Sequence, residues 1–524
     1  MEPYSAGFLS LLPPVLAVIL ALKTKEVYSS LIFGIMSGAL IYSFMSGGDS
    51  LIRPIEVSVE ILSAKFDLKI AIFCALLGAL ISVINASGGI REYGNWARKK
   101  LQTRRKALFS TMFLGIVIFI DDYFNCLTVG TVMKPVTDAQ KISREKLAFI
   151  IDSTAAPICI IAPISSWAVA VSSNLTTEAS SETPFMIFIS CIPWNFYAIF
   201  CLCFVLLVIA LDFDFGPMRR AEQRHQESLE EQAGREDSHV LQDNGVKAKA
   251  SGTISDILIP ICSLITATAL AMLYTGGFWK DGEAFHSAVQ AMGASDPSFS
   301  LILGALVGLL AAFLKYIPKR ISTMDDFMKN AVRGAQNMLP AIIILMLAWT
   351  LSGVTRELLE APKFIGSLIS ADNGMVAALL PAFAFILSGF LSFAVGTAWG
   401  TFGILIPIII SVFEAVFPGN SEYLYIVLSA TLAGSVFGDH CSPISDTTIL
   451  SSAGAGCEHV SHVGTQLPYS IFIAAVSLLG YLMAGFTRSL SASLIFSLAV
   501  LLGGLLMIRS RVQRKAQTEN AEKA

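Results

Sequence analysis

The stretch Gly438-Asp439-His440-Cys441-Ser442-Pro443-Ile444-Ser445-Asp446-Thr447-Thr448 constrains this chain most. It lies inside an apolar segment from about Tyr423 to Leu450, long enough to cross a bilayer. Its middle nevertheless holds two carboxylates, a histidine, four hydroxyls and a proline. An ionised carboxylate at bilayer depth costs about 3 kcal/mol or more unless it is paired or hydrated. Pro443 lacks an N–H and its ring clashes one turn back, so a helix here should break. A broken helix bares carbonyl oxygens beside Asp439 and Asp446, which suits a cation. On a continuous helix these acids, seven residues apart, would share a face; with a break they could close around one site. Ser442, Ser445, Thr447 and Thr448 add hydroxyl oxygens, the donors a hard cation such as Na⁺ takes. His440 could carry a proton or simply a packing hydrogen bond.

The rest of the chain has a matching character. Of 524 residues, 54% are hydrophobic and 14% charged, and the apolar residues come in long runs. That excludes an ordinary soluble domain and, without short alternating segments, a β-barrel. The fold class is an all-α polytopic membrane protein. No Walker-type phosphate loop appears, nothing suggests nucleic-acid binding, and no cofactor is implied. The nine cysteines are scattered through apolar runs and read as packing thiols. No cleavable signal peptide is expected at the start.

About 11 transmembrane spans are predicted, near 7–22, 27–46, 69–87, 147–173, 185–211, 255–275, 299–315, 338–356, 422–447, 466–486 and 490–508. Basic clusters at Lys23/Lys25, Arg98–Lys106, Lys141–Lys146, Arg219-Arg220, Lys319-Arg320 and Arg509–Lys515 orient them. With all clusters in the cytoplasm, the N-terminus is outside and the C-terminus inside. This works only if 107–140 and 375–416 are re-entrant hairpins, although 375–416 could hold two full spans.

The hairpins suggest a repeat. Thr128-Val129-Gly130 resembles Thr401-Phe402-Gly403, and Ala162-Pro163-Ile164-Ser165-Ser166 resembles Ser442-Pro443-Ile444-Ser445-Asp446. Residues 1–211 then form a first repeat, with hairpin 107–140 and proline-broken helix 147–173. Residues 253–508 form a second of opposite orientation, with hairpin 375–416, broken helix 422–447 and a final span. Between them, 212–252 reads as a flexible cytoplasmic linker, and 509–524 as a cytoplasmic tail. Inverted repeats are the pattern of secondary transporters, with the site at the repeat interface.

Further polar residues fall at the same landmarks. Asp121-Asp122, with Asn125 and Thr128 beyond, marks the first hairpin tip. Two neighbouring carboxylates cannot easily both ionise in low dielectric, so the pair could trade a proton for a cation. They could equally cap the turn. Asp152-Ser153 precedes Pro157 and Pro163. Asp152 could relay protons, or pair with Arg144 or Lys146. Ser165 and Ser166 supply hydroxyls at that break. Thr397, Trp399 and Thr401 mark the second tip, where Trp399 could wall a site or merely pack. Cys457, His459 and His462 are placed on a cytoplasmic loop with spacing that matches no strong zinc pattern.

These residues resemble the NhaC-type sodium/proton antiporter family. The resemblance rests on Gly438–Thr448 continuing to Cys457-Glu458-His459, on Phe119–Asn125, on Asp152–Pro157 through Ser165-Ser166, and on Gly396–Thr401. It implies a secondary transporter of the ion transporter superfamily, with inverted repeats, paired hairpins, frequent dimers and an elevator-like motion. It implies Na⁺/H⁺ exchange in a bacterial inner membrane, with Asp121, Asp122, Asp152, Asp439 and Asp446 at the ion site. Some relatives instead couple Na⁺ or H⁺ to organic acids or amino acids. The expectation is therefore a non-enzymatic Na⁺/H⁺ exchanger, homodimeric in the lipid bilayer, with a coupled carrier of a small organic acid or amino acid as the alternative. A channel or an intramembrane enzyme fits less well. Polarity clusters at tips and breaks instead of forming a stripe, and Ser442 beside His440 is the sole nucleophile–base candidate.

Overall fold

The computed structural model describes residues 3–24, 26–47, 52–89, 92, 100–175, 183–233, 253, 255–280, 286, 288, 291, 295–361, 364, 374–417, 421–443 and 445–523. Among the described residues it is helical, without strands. The chain is an all-α polytopic membrane protein. Nine of its described helices are long and apolar enough to cross a membrane, or up to ten if Pro184–Trp194 and Phe196–Leu211, bent by 45°, form one span. In the N-terminal part run α1 (Leu12–Thr24), α2 (Val27–Met45), α3 (Arg53–Lys65) and α4 (Leu68–Ala86). The amphipathic α3 had no counterpart in the hydropathy reading, because Arg53, Glu56, Glu60 and Lys65 interrupt its apolar residues.

Two helical hairpins and two interrupted spans position the polar residues. The first hairpin pairs α5 (Arg104–Val117) with α6 (Asp122–Ala139). The first interrupted span is α7 (Arg144–Ser153), α8 (Ala156–Cys159) and α9 (Ser166–Ser173). Pro157 begins α8 and Pro163 lies in the gap before α9, so neither can donate to a continuing helix. Then come α10 (Pro184–Cys191), α11 (Phe196–Leu211) and α12 (Gly216–Ala233). Next are α13 (Ser255–Thr275), α14 (Pro297–Tyr316), α15 (Met324–Asn337) and α16 (Leu339–Ser352). The second hairpin is α17 (Gly374–Val395) with α18 (Ala398–Val416). Gly396, at φ 77°, makes its turn, a left-handed conformation that other residues resist. The second interrupted span is α19 (Ser421–Cys441) and α20 (Asp446–Ala455), parted at Pro443, and α21 (His459–Thr487) and α22 (Leu490–Lys523) close the chain.

Several expectations change in detail. The segment 147–173 is three helical pieces, and 338–356 belongs to a longer apolar stretch, Met324–Leu358. The first arm of the second hairpin has 22 residues, about 33 Å of rise and enough to cross a membrane by itself. The tail continues α22 as helix to Lys523. Within the linker, 216–233 is α12, while 234–252 lie outside the described residues. Met218, Ala221 and Glu222 share one buried face of α12, which local composition could not reveal because their partners lie far away in sequence.

Small residues let the site-bearing helices approach. A Cβ on Gly130 of α6 would lie 2.6 Å from the Gly454 Cα of α20. A Cβ on Gly438 of α19 would lie 2.1 Å from the Gly389 carbonyl oxygen of α17. Hydroxyls close the second contact: Ser388 donates to the Thr431 carbonyl (2.5 Å) and Ser392 to that of Ser435 (2.7 Å). Small-residue crossings with hydroxyl bonds are how apolar helices associate where lipid supplies no hydrophobic drive.

Candidate functional site

The caps build the site. Each helix that starts inside the membrane must satisfy its orphan N–H groups. Asp121 Oδ1 accepts from Phe124 N (3.0 Å) and starts α6. Ser165 accepts from Ala168 N (3.1 Å) and starts α9. Thr397 accepts from Gly400 N (3.5 Å) for α18, and Ser445 from Thr448 N (3.3 Å) for α20. The matched Ser165 and Ser445 thus hold equivalent positions at the two breaks. Two of these starts are tied together, since Ser166 donates from N to the Ile120 carbonyl (2.9 Å) and from Oγ to Asp121 Oδ2 (3.1 Å). Asn125 locks the first tip: its Nδ2 is within 2.7, 2.9 and 2.9 Å of the Gly115, Ile118 and Thr154 carbonyl oxygens.

Asp152 is the most heavily contacted carboxylate. It accepts from Gln466 Nε2 (2.6 Å), Thr448 Oγ1 (3.2 Å) and Ser451 Oγ (3.2 Å). His440 Nε2 and His462 Nε2 face the same carboxylate at 3.6 and 3.5 Å. The Tyr197 hydroxyl meets His440 Nδ1 at 3.0 Å, and Gln466 also donates to the His440 carbonyl (2.6 Å). Ion pairing of Asp152 with Arg144 or Lys146 does not occur. Arg144 turns to Asp138 (3.6 Å) and the Gly456 carbonyl, and Lys146 to Asp214.

Asp439 and Asp446 flank the second break with different surroundings. Asp439 is buried and accepts from Thr447 Oγ1 (2.8 Å), which is 3.0 Å from Ser445 Oγ. Asp446 is exposed and accepts from the Tyr123 hydroxyl (3.1 Å) at the first tip. Of the two acids whose spacing suggested one site, Asp439 is thus buried and Asp446 exposed. As the first residue of α20, Asp446 projects outward from the break. Asp122 is buried beside Trp167, whose indole N–H lies outside hydrogen-bond geometry.

The other candidates have local partners. Ser442 Oγ donates to the Phe393 carbonyl (2.7 Å), Thr401 Oγ1 to that of Thr397 (2.9 Å), and Thr128 Oγ1 to Asn85 Oδ1 (3.4 Å). Ser153 is buried with its hydroxyl unbonded. Trp399 packs edge-on against Trp167, with ring centroids 6.2 Å apart. Cys457, His459 and His462 do not converge. His459 meets Ser452 Oγ (3.1 Å) and the Pro443 carbonyl oxygen (2.6 Å), whereas His462 turns inward. Among the described residues no group of three His, Cys, Asp or Glu side chains is placed to hold a metal ion.

Sequence reasoning gave no site role to Tyr123, Tyr197, Ser451 or Gln466, and weighed His462 only against a zinc site. His462 was taken as loop and Gln466 as the first residue of a span, so the two were not read together. A signal was present: the two are four residues apart, hence on one helical face.

The electrostatics follow from burial. Asp121, Asp122, Asp152 and Asp439 are each at most 3% exposed, and among the described residues none forms an ion pair with lysine or arginine. Buried carboxylates without fixed counter-charge must take up protons or cations. That is the chemical capacity of the site.

Comparison with known proteins agrees with this capacity. A match to the Na⁺/H⁺ antiporter family covers residues 171–486, more than half of the 524. The chain belongs to the Na⁺/H⁺ antiporter family. It is thereby a membrane transport protein and not an enzyme, in line with the family resemblance of its motifs. This antiporter-family chain is 36% identical to an uncharacterised protein of Haemophilus influenzae over 497 residues, 93% of this chain and 92% of that one. It is 29% identical over 167 residues to a malate-2H⁺/Na⁺-lactate antiporter of Bacillus subtilis, covering 31% of this chain and 33% of the relative. It is 34% identical over 145 residues to an uncharacterised Na⁺/H⁺ antiporter of Haemophilus influenzae, covering 26% and 29%. Among solved structures it is similar to Neisseria gonorrhoeae MtrF, of a class of antimetabolite efflux pumps (TM-score 0.47, 14% identity, 84% and 85% covered). It is also similar to the Alcanivorax borkumensis YdaH transporter (TM-score 0.46, 12% identity, 85% and 87% covered).

Proposed function

We propose that the chain exchanges Na⁺ for H⁺ across the cell membrane by alternating access, without a cofactor. One observation carries this reading: four buried carboxylates, Asp121, Asp122, Asp152 and Asp439, stand at one hairpin tip and two helix breaks without lysine or arginine partners among the described residues. Each can hold a cation when ionised and a proton when neutral, and a carrier that moves either species alternately needs no more. Asp439 with Thr447 and Ser445 offers Na⁺ one carboxylate and two hydroxyls. Asp152, faced by His440 and His462, is assigned the proton. Asp121, Asp122 and Asp446, with Tyr123 and Ser166, would line the approach. The orientation from basic loops puts the N-terminus outside and the C-terminus in the cytoplasm of a bacterial inner membrane, and the assembly is assigned as a homodimer.

Inverted vesicles carrying the protein and acidified by respiration test this reading. Added Na⁺ should discharge the acid interior in proportion to the amount of protein. No discharge between pH 7 and 9 would remove Na⁺/H⁺ exchange. A second reading, a Na⁺- or H⁺-coupled carrier of a small organic acid, draws support from the partial likeness to the malate-2H⁺/Na⁺-lactate antiporter. Uptake of labelled malate or lactate that depends on Na⁺ or a pH gradient would favour it.

A further inference from the structure

The beginning of the segment between the two halves does more than connect them. Asp214 accepts from the Tyr469 hydroxyl of α21 (2.7 Å) and pairs with Lys146 of α7. The Phe215 amide donates to the same Tyr469 hydroxyl (3.3 Å), and the two rings stand 4.5 Å apart. Eight residues on, Glu222 of α12 accepts from both the amide (3.0 Å) and the hydroxyl (2.5 Å) of Ser143, and pairs with Arg104 of α5. Ser143 is the N-cap of α7. Lys146 and Ser143 are at most 1% exposed and Glu222 is 6% exposed, so these charges are buried at real cost and are held by one another.

This network grips the two helices that converge on Asp152. Helix α7 carries Asp152 near its other end, and α21 carries His462 and Gln466 one to two turns before Tyr469. The pair is therefore fastened twice, at one end by Asp214 and inside the membrane by Asp152 itself. A bond from Ser461 Oγ to Glu145 (3.0 Å) lies between these elements as well.

We infer that Asp214 and Glu222 are positioning residues: the linker clamps α7 to α21 and thereby fixes how the two histidines and Gln466 meet Asp152. The inference rests on the exchange reading for its functional consequence, not for its geometry. The charged and titratable groups at the clamp are Arg104, Arg105, Lys146, Asp212, Asp214, Glu222 and Tyr469. Those facing Asp152 are His440 and His462, with Tyr197 behind His440. Loosening the clamp changes the distances within the second group without removing any of its members.

The test uses the full-length protein in proteoliposomes with Asp214→Asn and Glu222→Gln, separately. Two measurements are made, amide hydrogen exchange and flux as a function of pH. The variants should raise exchange several-fold in peptides covering 146–155 and 459–470 and leave α13 and α14 unchanged. They should displace the pH of half-maximal flux by about half a unit and raise half-maximal Na⁺ several-fold. An unaltered pH profile alongside lowered thermal stability would make the clamp merely structural and overturn the inference. If Asp214→Asn does not fold, Glu222→Gln, which keeps size and hydrogen bonding, carries the test alone. If the wild type moves no Na⁺ against H⁺, the functional reading fails separately, and unchanged hydrogen exchange in both variants still overturns the clamp.

Discussion

The two hairpin-and-break sets use the same caps with the chemistry exchanged. At the tips, Asp121 starts α6 and Thr397 starts α18, each accepting from the amide three residues on. At the breaks, Ser165 and Ser445 cap identically, but the next residue is Ser166 in one and Asp446 in the other. Cap geometry is thus shared, while the capping segment carries its acid at the tip in one set, Asp121, and at the break in the other, Asp446. The shared part is backbone physics, because any helix starting in apolar surroundings must pair its first N–H groups. The exchanged part decides where charge can reside.

The largest way to break this parallel is Asp152→Asn. Gln466, Thr448, Ser451 and two histidines converge on its carboxylate. Hydrogen bonds to a charged group contribute about 3 kcal/mol at most, which as a barrier is about 100-fold. Flux in inverted vesicles should fall by about that factor with expression retained. A fall of less than about threefold would move the proton site away from Asp152.

Next comes Gly130→Ala against Gly403→Ala, two glycines in matching motifs. At Gly130 the new Cβ meets the Gly454 carbonyl carbon at 2.5 Å, whereas at Gly403 it meets the Ala348 Cβ at 3.1 Å. Backbone cannot yield as a side chain can, so Gly130→Ala should cost about 2 kcal/mol and Gly403→Ala under about 0.5 kcal/mol. Thermal melting in detergent reads the difference, and equal losses would mean the α6–α20 crossing is not rigid.

How much of this was readable beforehand depends on how local each feature is. The Pro-Ile-Ser repeat spoke of two breaks because proline and a hydroxyl cap act within one turn. The acids at Asp121, Asp152 and Asp439 stood out because apolar neighbours made them costly. Asp446 stood out for the same reason, although in the fold it is exposed and meets Tyr123, which its neighbours in sequence could not show. His462 was read as loop and Gln466 as the first residue of a span, so their shared face at the start of α21, where tertiary packing buries both side chains, went unseen. The docking of Glu222 was unreadable, since Ser143 and Arg104 lie 79 and 118 residues away.

Asp439→Asn against Asp446→Asn sharpens the comparison within the second break. Asp439 is buried with a hydroxyl partner and Asp446 is exposed. Screening and hydration weaken what an exposed charge contributes. Half-maximal Na⁺ should rise about tenfold for Asp439→Asn, near 1.4 kcal/mol, and about twofold for Asp446→Asn. The reverse order would put the cation at the outer acid.

The smallest expected effect separates capping from charge at the tips. Asparagine caps as well as aspartate, so Asp121→Asn should keep α6 intact and stability within about 0.5 kcal/mol. Its other carboxylate oxygen accepts from Ser166; in the amide that position is an NH2 group, to which the Ser166 hydroxyl can turn as acceptor. Thr397→Ala removes a cap with no charge involved and should cost about 1 kcal/mol. If Asp121→Asn nevertheless slows exchange while Thr397→Ala slows it only in step with lost stability, charge at the first tip matters in its own right. If both variants track stability alone, Asp121 is the structural twin of Thr397, and the acids that serve the ions are Asp122, Asp152 and Asp439.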